Sequence, residues 1–179
     1  MSYNEPMELN EKQMRAALEL LAKKLPKPVR IIIGGGGAML LAHGFSISTT
    51  GIDGIPERGI TAQELDPYVK EVAAELDLSK DWLDTYFVTF THVLPKDYES
   101  RLELVLSSHH LEVLALSKTD LLLMKCFAGR QKDRVHAREL IREGADIAAV
   151  ETQIENLLNL GIPKAQQALD FLDEVQDQA

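Results

Sequence analysis

Val29-Arg30-Ile31-Ile32-Ile33-Gly34-Gly35-Gly36-Gly37-Ala38-Met39-Leu40-Leu41-Ala42-His43-Gly44 is the stretch on which the fold turns. Its first five residues form a short β-branched run, the composition of a buried strand. The four glycines that follow permit a tight turn and a close approach of backbone to a bound group. Residues 38–43 then read as a short helix stopped by Gly44. Strand, glycine turn and helix in succession put the glycines at a helix N-terminus, where unpaired N–H groups and the helix dipole favour phosphate. The run is neither GxGxxG nor a Walker sequence, because no Lys-Ser/Thr follows. Dinucleotide and P-loop folds are therefore not expected, and a purely structural turn is the competing reading.

Upstream, Met14, Ala17, Leu18, Leu21 and Leu25 follow helical spacing within residues 9–25, and Pro26 and Pro28 end that helix. Downstream, residues 46–53 alternate in strand fashion and Thr61 can cap a helix through Leu76. Aromatic and β-branched residues crowd residues 86–93, an ambiguous strand. Residues 102–106 and 111–116 read as two strands joined by Ser107-Ser108-His109-His110. From Ser117 onward the pattern is helical: 118–128, 133–143, 146–160, and a last helix opened by Pro163. The expected organisation is an α/β core over 1–116 and a helical part over 117–179 packed on it as one domain.

A chain of 179 residues, 45% hydrophobic and 26% charged, can bury a real core. No stretch approaches the roughly 18 apolar residues that cross a bilayer, and Met-Ser-Tyr-Asn-Glu-Pro is no basic, apolar leader. A single cysteine, Cys126, excludes an internal disulfide framework. A cytoplasmic protein with no membrane partner is expected. Its net charge of −9 argues against coating a DNA duplex. Residues 118–142 nevertheless carry seven basic residues against three acids. A confined cationic segment on an acidic chain suits a small anionic ligand such as a nucleotide; a solvated helix face is the alternative.

Thr49-Thr50-Gly51-Ile52-Asp53-Gly54 supplies a carboxylate at an expected strand end. A metal site for phosphoryl transfer wants carboxylates on alternate strand residues, so that both face one side. Here Gly51 occupies the alternate position, and Asp53 alone also fits a turn residue before Gly54. His109-His110 point to opposite strand faces and suit a polar turn better than a shared metal. His136 reads as a buried or capping histidine, Cys126 as a buried thiol and Trp82 as core. Lys118, Lys125 and Lys132 recur every seven residues, a spacing that matters only if Gly129 does not break the helix.

Gly35, Gly36 and Ala38, then Gly44, then Thr49, Thr50, Ile52 and Asp53, then Leu122, Met124, Lys125, Ala128, Arg130 and Asp133 form an ordered series. In order and spacing it resembles the nucleotidyltransferase-like bacterial proteins related to the AbiEii toxins of abortive-infection and toxin–antitoxin systems. The resemblance spans about residues 29–140, and Asp81-Trp82-Leu83-Asp84 resembles a segment between its two blocks. It implies an α+β, polymerase-β-like nucleotidyltransferase fold, a small mixed sheet flanked by helices with a helical C-terminal part. It further implies that Gly35 and Gly36 meet the triphosphate of a nucleoside triphosphate, and that Asp53 is the second Mg²⁺-binding aspartate. Lys125, Arg130 and Lys132 would steady phosphate charge, and a third acid would come from a later strand, Glu103 being favoured over Glu112. Members usually read Asp-x-Asp where this chain reads Gly51-Ile52-Asp53, so the first metal ligand is missing. Two functions follow. One is Mg²⁺-dependent nucleotide transfer to a hydroxyl on tRNA, protein or a small molecule, in a toxin–antitoxin or phage-defence setting with a cognate antitoxin. The other is an inactive module on the same fold that binds a nucleotide or a protein.

Overall fold

Asn10 opens the first helix, α1 (Glu11–Lys24), with a reciprocal cap: its side chain accepts from the Gln13 N–H and the Gln13 side chain accepts from the Asn10 N–H. Met14, Ala17, Leu18, Leu21 and Ala22 are buried along one face. Leu25, held extended ahead of Pro26, ends the helix. The computed structural model describes residues 7–85 and 91–177. Its contacts divide into two compact units, residues 1–88 with 103–115 and residues 89–102 with 116–179.

The first unit holds a five-stranded mixed sheet of order β3-β2-β1-β5-β4. Its strands are β1 (Val29–Gly34), β2 (Ile52–Arg58), β3 (Leu83–Asp84), β4 (Glu103–Ser108) and β5 (Leu111–Ala115). β1 runs antiparallel to β2 and parallel to β5, β2 runs parallel to β3, and β4 and β5 make the expected hairpin with a bulge between Leu104 and Leu106. Paired residues share a face. One face therefore carries Ile31, Ile33, Gly54, Val113, Ala115 and Glu103; the other carries Ile32, Ile55, Leu114, Arg30, Glu112 and Asp53.

Two sequence expectations shift in this unit. α2 spans Gly35–His43, so it starts three residues earlier than its apolar run and takes three glycines into its first turn. Glycine is a poor helix former, but a Cβ on Gly37 would stand 3.2 Å from the Ile52 side chain and one on Gly36 3.1 Å from Thr49. Close packing on β2 and its approach explains the glycines better than a loop does. Residues 46–51, which alternate like a strand, join no ladder. The Thr49 hydroxyl donates to the Gly51 carbonyl at 2.8 Å, and the Leu9 N–H donates to the Thr49 carbonyl at 2.8 Å. Local side-chain bonding of this kind competes with sheet pairing. α3 (Ala62–Leu76) is capped by Thr61 as expected. The strand expected at residues 86–93 falls, over residues 86–90, outside the described residues.

The second unit consists of a short 3₁₀ turn (Tyr98–Arg101) and the helices α4 (Lys118–Ala128), α5 (Gln131–Arg142), α6 (Ile147–Asn159) and α7 (Ala165–Asp177). Leu121, Leu122, Leu140, Ile154, Ala168 and Leu172 are all at 1% exposure or less and form its core. Arg101 clasps Asp120 with two bonds of 3.0 and 2.9 Å, tying the turn to the start of α4. Ser117 caps α4, and Gly129 ends it in the left-handed conformation. α4 and α5 are thus separate helices, and Lys118, Lys125 and Lys132 do not lie along one helix. Among the described residues, no helix is long and apolar enough to cross a membrane. The chain is therefore α+β: a small mixed sheet with helices, followed by a helical C-terminal part.

Candidate functional site

The end of β1, the start of α2 and the start of β2 converge because Gly34 pairs with Asp53 in the antiparallel ladder. Gly35 has φ +59°, the left-handed region that favours glycine, and this swivel turns the chain from strand directly into helix. A Cβ there would lie 2.5 Å from Asp53 Oδ2. The Asp53 carboxylate thus occupies the space that any larger residue at position 35 would fill. Thr49 faces Gly36 next to it. Gly35, Gly36 and Asp53, three of the residues singled out in the sequence, are brought together.

Gly51, two residues before Asp53, has little side-chain room. It does not adopt a positive φ, yet a Cβ on it would meet the Trp82 carbonyl oxygen at 3.0 Å and that of Asp81 at 3.3 Å. The segment leading into β3 crowds this position, and the Ile52 N–H donates to the same Trp82 carbonyl at 2.7 Å.

The same strand presents a different acid. Ile52 pairs with Leu83 and Asp53 with Asp84 in parallel register. Paired residues on neighbouring strands lie about 4.8 Å apart and on one face. Asp84 therefore stands beside Asp53, and both are half-buried. Asp84 also lines a cleft of about 130 Å³ with Asp81, Lys80 and Thr85. A two-residue strand shows no alternation, so only the likeness of Asp81-Trp82-Leu83-Asp84 to a family segment pointed toward it. Among the described residues, no group of three or more His, Cys, Asp or Glu is placed to hold a metal.

Glu103 is not brought to Asp53. It pairs with Ala115, on the opposite face and three strand spacings away, about 14 Å. There it lies 3.4 Å from His43, the last residue of α2. Glu112 shares the face of Asp53, but two strands away and four register positions along, and Arg30 is 3.2 Å from it.

Lys125 and Arg130 point at a carboxylate of their own unit. Lys125, 7% exposed, bonds Asp133 Oδ1 at 3.0 Å, and Arg130 bonds Asp133 through Nε at 2.8 Å, Nη2 at 3.2 Å and its backbone N–H at 3.0 Å. Burial works to raise the Asp133 carboxyl, but the Arg130 hydrogen bond and the Lys125 charge outweigh it and hold it below the usual carboxylate range. The Lys-x-x-Ala-x-Arg-x-x-Asp run is thus a charge cluster joining α4 to α5. Lys132 is exposed and makes no ion pair among the described residues. Arg134 bonds Glu174 and lies over the Phe171 ring, Arg142 bonds Glu139, and Lys118 donates to the Glu143 carbonyl. Much of the cationic segment is matched inside its own unit.

The remaining singled-out residues are structural. Trp82 is fully buried, its indole N–H donating to the Val69 carbonyl at 2.8 Å. Cys126 is buried, and that burial pushes its thiol up to about 12. His110 bonds the Leu25 carbonyl through Nδ1 and His109 takes the turn position of the hairpin. His136 is pulled down to about 4 by burial and by the nearby Lys125 charge, so it is neutral at pH 7.

The model of a family described as nucleotidyltransferases of unknown function, DUF6036, matches residues 12–175. No curated protein and no solved structure matches the chain.

Proposed function

Since the chain belongs to this family of nucleotidyltransferases, we propose that it has the polymerase-β-like fold and moves a nucleotide from a nucleoside triphosphate to a hydroxyl acceptor. The observation that carries this reading is the carboxylate of Asp53 set into the space left by Gly35 at the start of α2. The N–H groups of the first turn, with Gly35 and Gly36 offering no side chain, suit the triphosphate. Mg²⁺ fits the donor chemistry, since a hard cation takes carboxylate oxygen and keeps the remaining positions for phosphate and water. When bound, it supplies charge neutralisation at the triphosphate. Asp53 holds it, and the glycine turn orients the phosphates. The acceptor oxygen bonds to the α-phosphorus as the bond to the β-phosphate oxygen breaks; pyrophosphate leaves with that electron pair, and the hydroxyl proton passes to solvent. The acceptor belongs to tRNA, a protein or a small molecule, in a cytoplasmic toxin–antitoxin or phage-defence setting like that of the AbiEii-related proteins, with an antitoxin as partner. Lys125 and Arg130 share the single carboxylate of Asp133, so one positive charge of the three is left over to steady phosphate.

The test is calorimetric titration with ATP, GTP, CTP and UTP in Mg²⁺, alongside labelled-nucleotide transfer to bulk tRNA and to the protein itself. Binding and transfer by the wild type, both lost in Asp53→Ala, are expected. Binding without transfer would support the second reading, an inactive nucleotide-binding module, which Gly51 favours by carrying no carboxylate. No binding by the folded chain would sink nucleotide transfer and nucleotide binding alike and leave the protein-binding form of the second reading.

A further inference from the structure

We infer that Asp84 is the second carboxylate ligand of the divalent cation, replacing from β3 the acid that Gly51 does not provide. The inference rests on the nucleotidyltransferase reading and concerns which residues of this chain complete its cation site.

Position 51 and position 84 are linked through one strand. The Trp82 carbonyl takes the space in front of Gly51, 3.0 Å from where a Cβ would be, and bonds the Ile52 N–H at 2.7 Å. A side chain at 51 is crowded by backbone. The segment that crowds it runs into β3, reaches Asp84 two residues after Trp82 and sets that aspartate in register with Asp53. A family site with acids at alternate positions of one strand spaces them about 6.6 Å apart along that strand. Here the two acids sit side by side on neighbouring strands, about 4.8 Å apart and on one face. Side chains rising on one face from backbone positions at that spacing can share one cation, whereas Glu103 is on the other face and Glu112 is four positions along, beside Arg30.

The surroundings agree with the donor set. The Asp53 carboxylate fills the space left by the missing side chain of Gly35 at the α2 N-terminus, and Asp84, its ladder partner, is half-buried like it. Mg²⁺ is usually held by one or two carboxylates plus substrate phosphates rather than by a full protein cage, so a pair of aspartates is a sufficient protein share.

The experiment measures Mn²⁺ binding to the full chain by electron paramagnetic resonance, with and without ATP, for wild type, Asp53→Asn, Asp84→Asn and Asp84→Glu. Circular dichroism and thermal unfolding verify that each is folded. Both Asn variants should weaken Mn²⁺ binding at least tenfold, while Asp84→Glu, which keeps the carboxylate, should stay within about threefold of wild type. Should Asp84→Asn not fold, Asp84→Ser takes its place with the same tenfold expectation. Full Mn²⁺ binding by a folded Asp84→Asn or Asp84→Ser, with loss in Asp53→Asn, would overturn the role of Asp84 and leave the Asp53 site standing. Undiminished binding in all variants, or no binding by wild type even with ATP, would overturn both.

Discussion

Asp53, at the start of β2, and Asp133, in the first turn of α5, are aspartates set close to a glycine-bearing turn, and the groups beside them differ in kind. Asp133 is fully buried with Lys125 and Arg130 both bonded to it, so its own charge is more than matched within the protein. Asp53 has a second aspartate, Asp84, beside it in the ladder. Opposite charges gathered in a helix junction hold two helices together. Two aspartates in register at a strand end offer oxygen donors to a hard cation instead. Two runs that looked equally functional in the sequence thus separate into a structural cluster and a candidate site.

The sharpest way to break this contrast is to remove the matched carboxylate. Asp133→Ala strips Arg130 of three hydrogen bonds and leaves the buried Lys125 ammonium without the carboxylate it faces. Losing one partner of a buried pair costs about 3–5 kcal/mol, to be read as a lower urea midpoint. Asp53→Asn, at a half-buried position and with its shape kept, should change stability by less than Asp133→Ala does. A larger loss for Asp53→Asn than for Asp133→Ala would reverse the assignment of roles.

Acid should act on the matched cluster too. His136 titrates at about 4 in the folded chain, because burial and Lys125 disfavour its charge, against about 6.5 unfolded. The unfolded chain therefore binds more protons between these values. Stability is full above pH 6.5 and falls as pH drops toward 4, by on the order of 2–3 kcal/mol. Below that, protonation of Asp133, itself held low, continues the loss. Urea melts at pH 7, 5.5 and 4.5 should show the decline, and His136→Gln should flatten it above pH 4.5.

At the other region, Gly35→Ala combines a positive φ with a Cβ set 2.5 Å from Asp53 Oδ2. A side chain at such a φ costs about 1–2 kcal/mol, and the displaced carboxylate should lower Mn²⁺ and nucleotide affinity at least tenfold. Wild-type affinity in this variant would remove the glycine cradle from the site.

How much of this was legible beforehand follows from what each signal depends on. α1, the β4–β5 hairpin, α3 and α4 follow from period, caps and breakers, because Asn10, Thr61, Ser117 and Gly129 act locally. The early start of α2 was not legible, since three glycines have no helix propensity of their own and are fixed by Thr49 and Ile52 across the chain. The Lys125–Asp133 bond needs α4 and α5 folded together, and eight residues of separation with a break between do not reveal it. Asp84 was hidden for the same reason, because register with Asp53 is a property of two strands, and neither sequence carries it alone.

The smallest effect discriminates most finely. The sequence suggests that Gly51→Asp would restore Asp-Ile-Asp and rebuild the missing ligand, needing no backbone change if Gly51 is not left-handed. Gly51 is indeed outside the left-handed region, so φ imposes no penalty. Its obstacle is the Trp82 and Asp81 carbonyl oxygens, at 3.0 and 3.3 Å from the new Cβ, which must give by a few tenths of an ångström. Overpacking of this size costs about 1–2 kcal/mol. The carboxylate would also emerge beside two carbonyl oxygens, where it meets acceptors and no donors. We therefore expect Gly51→Asp to lower the urea midpoint slightly and leave Mn²⁺ affinity unimproved. If instead it binds Mn²⁺ several-fold tighter than wild type at unchanged stability, β3 yields to the new side chain, and the second ligand belongs at position 51 rather than at Asp84.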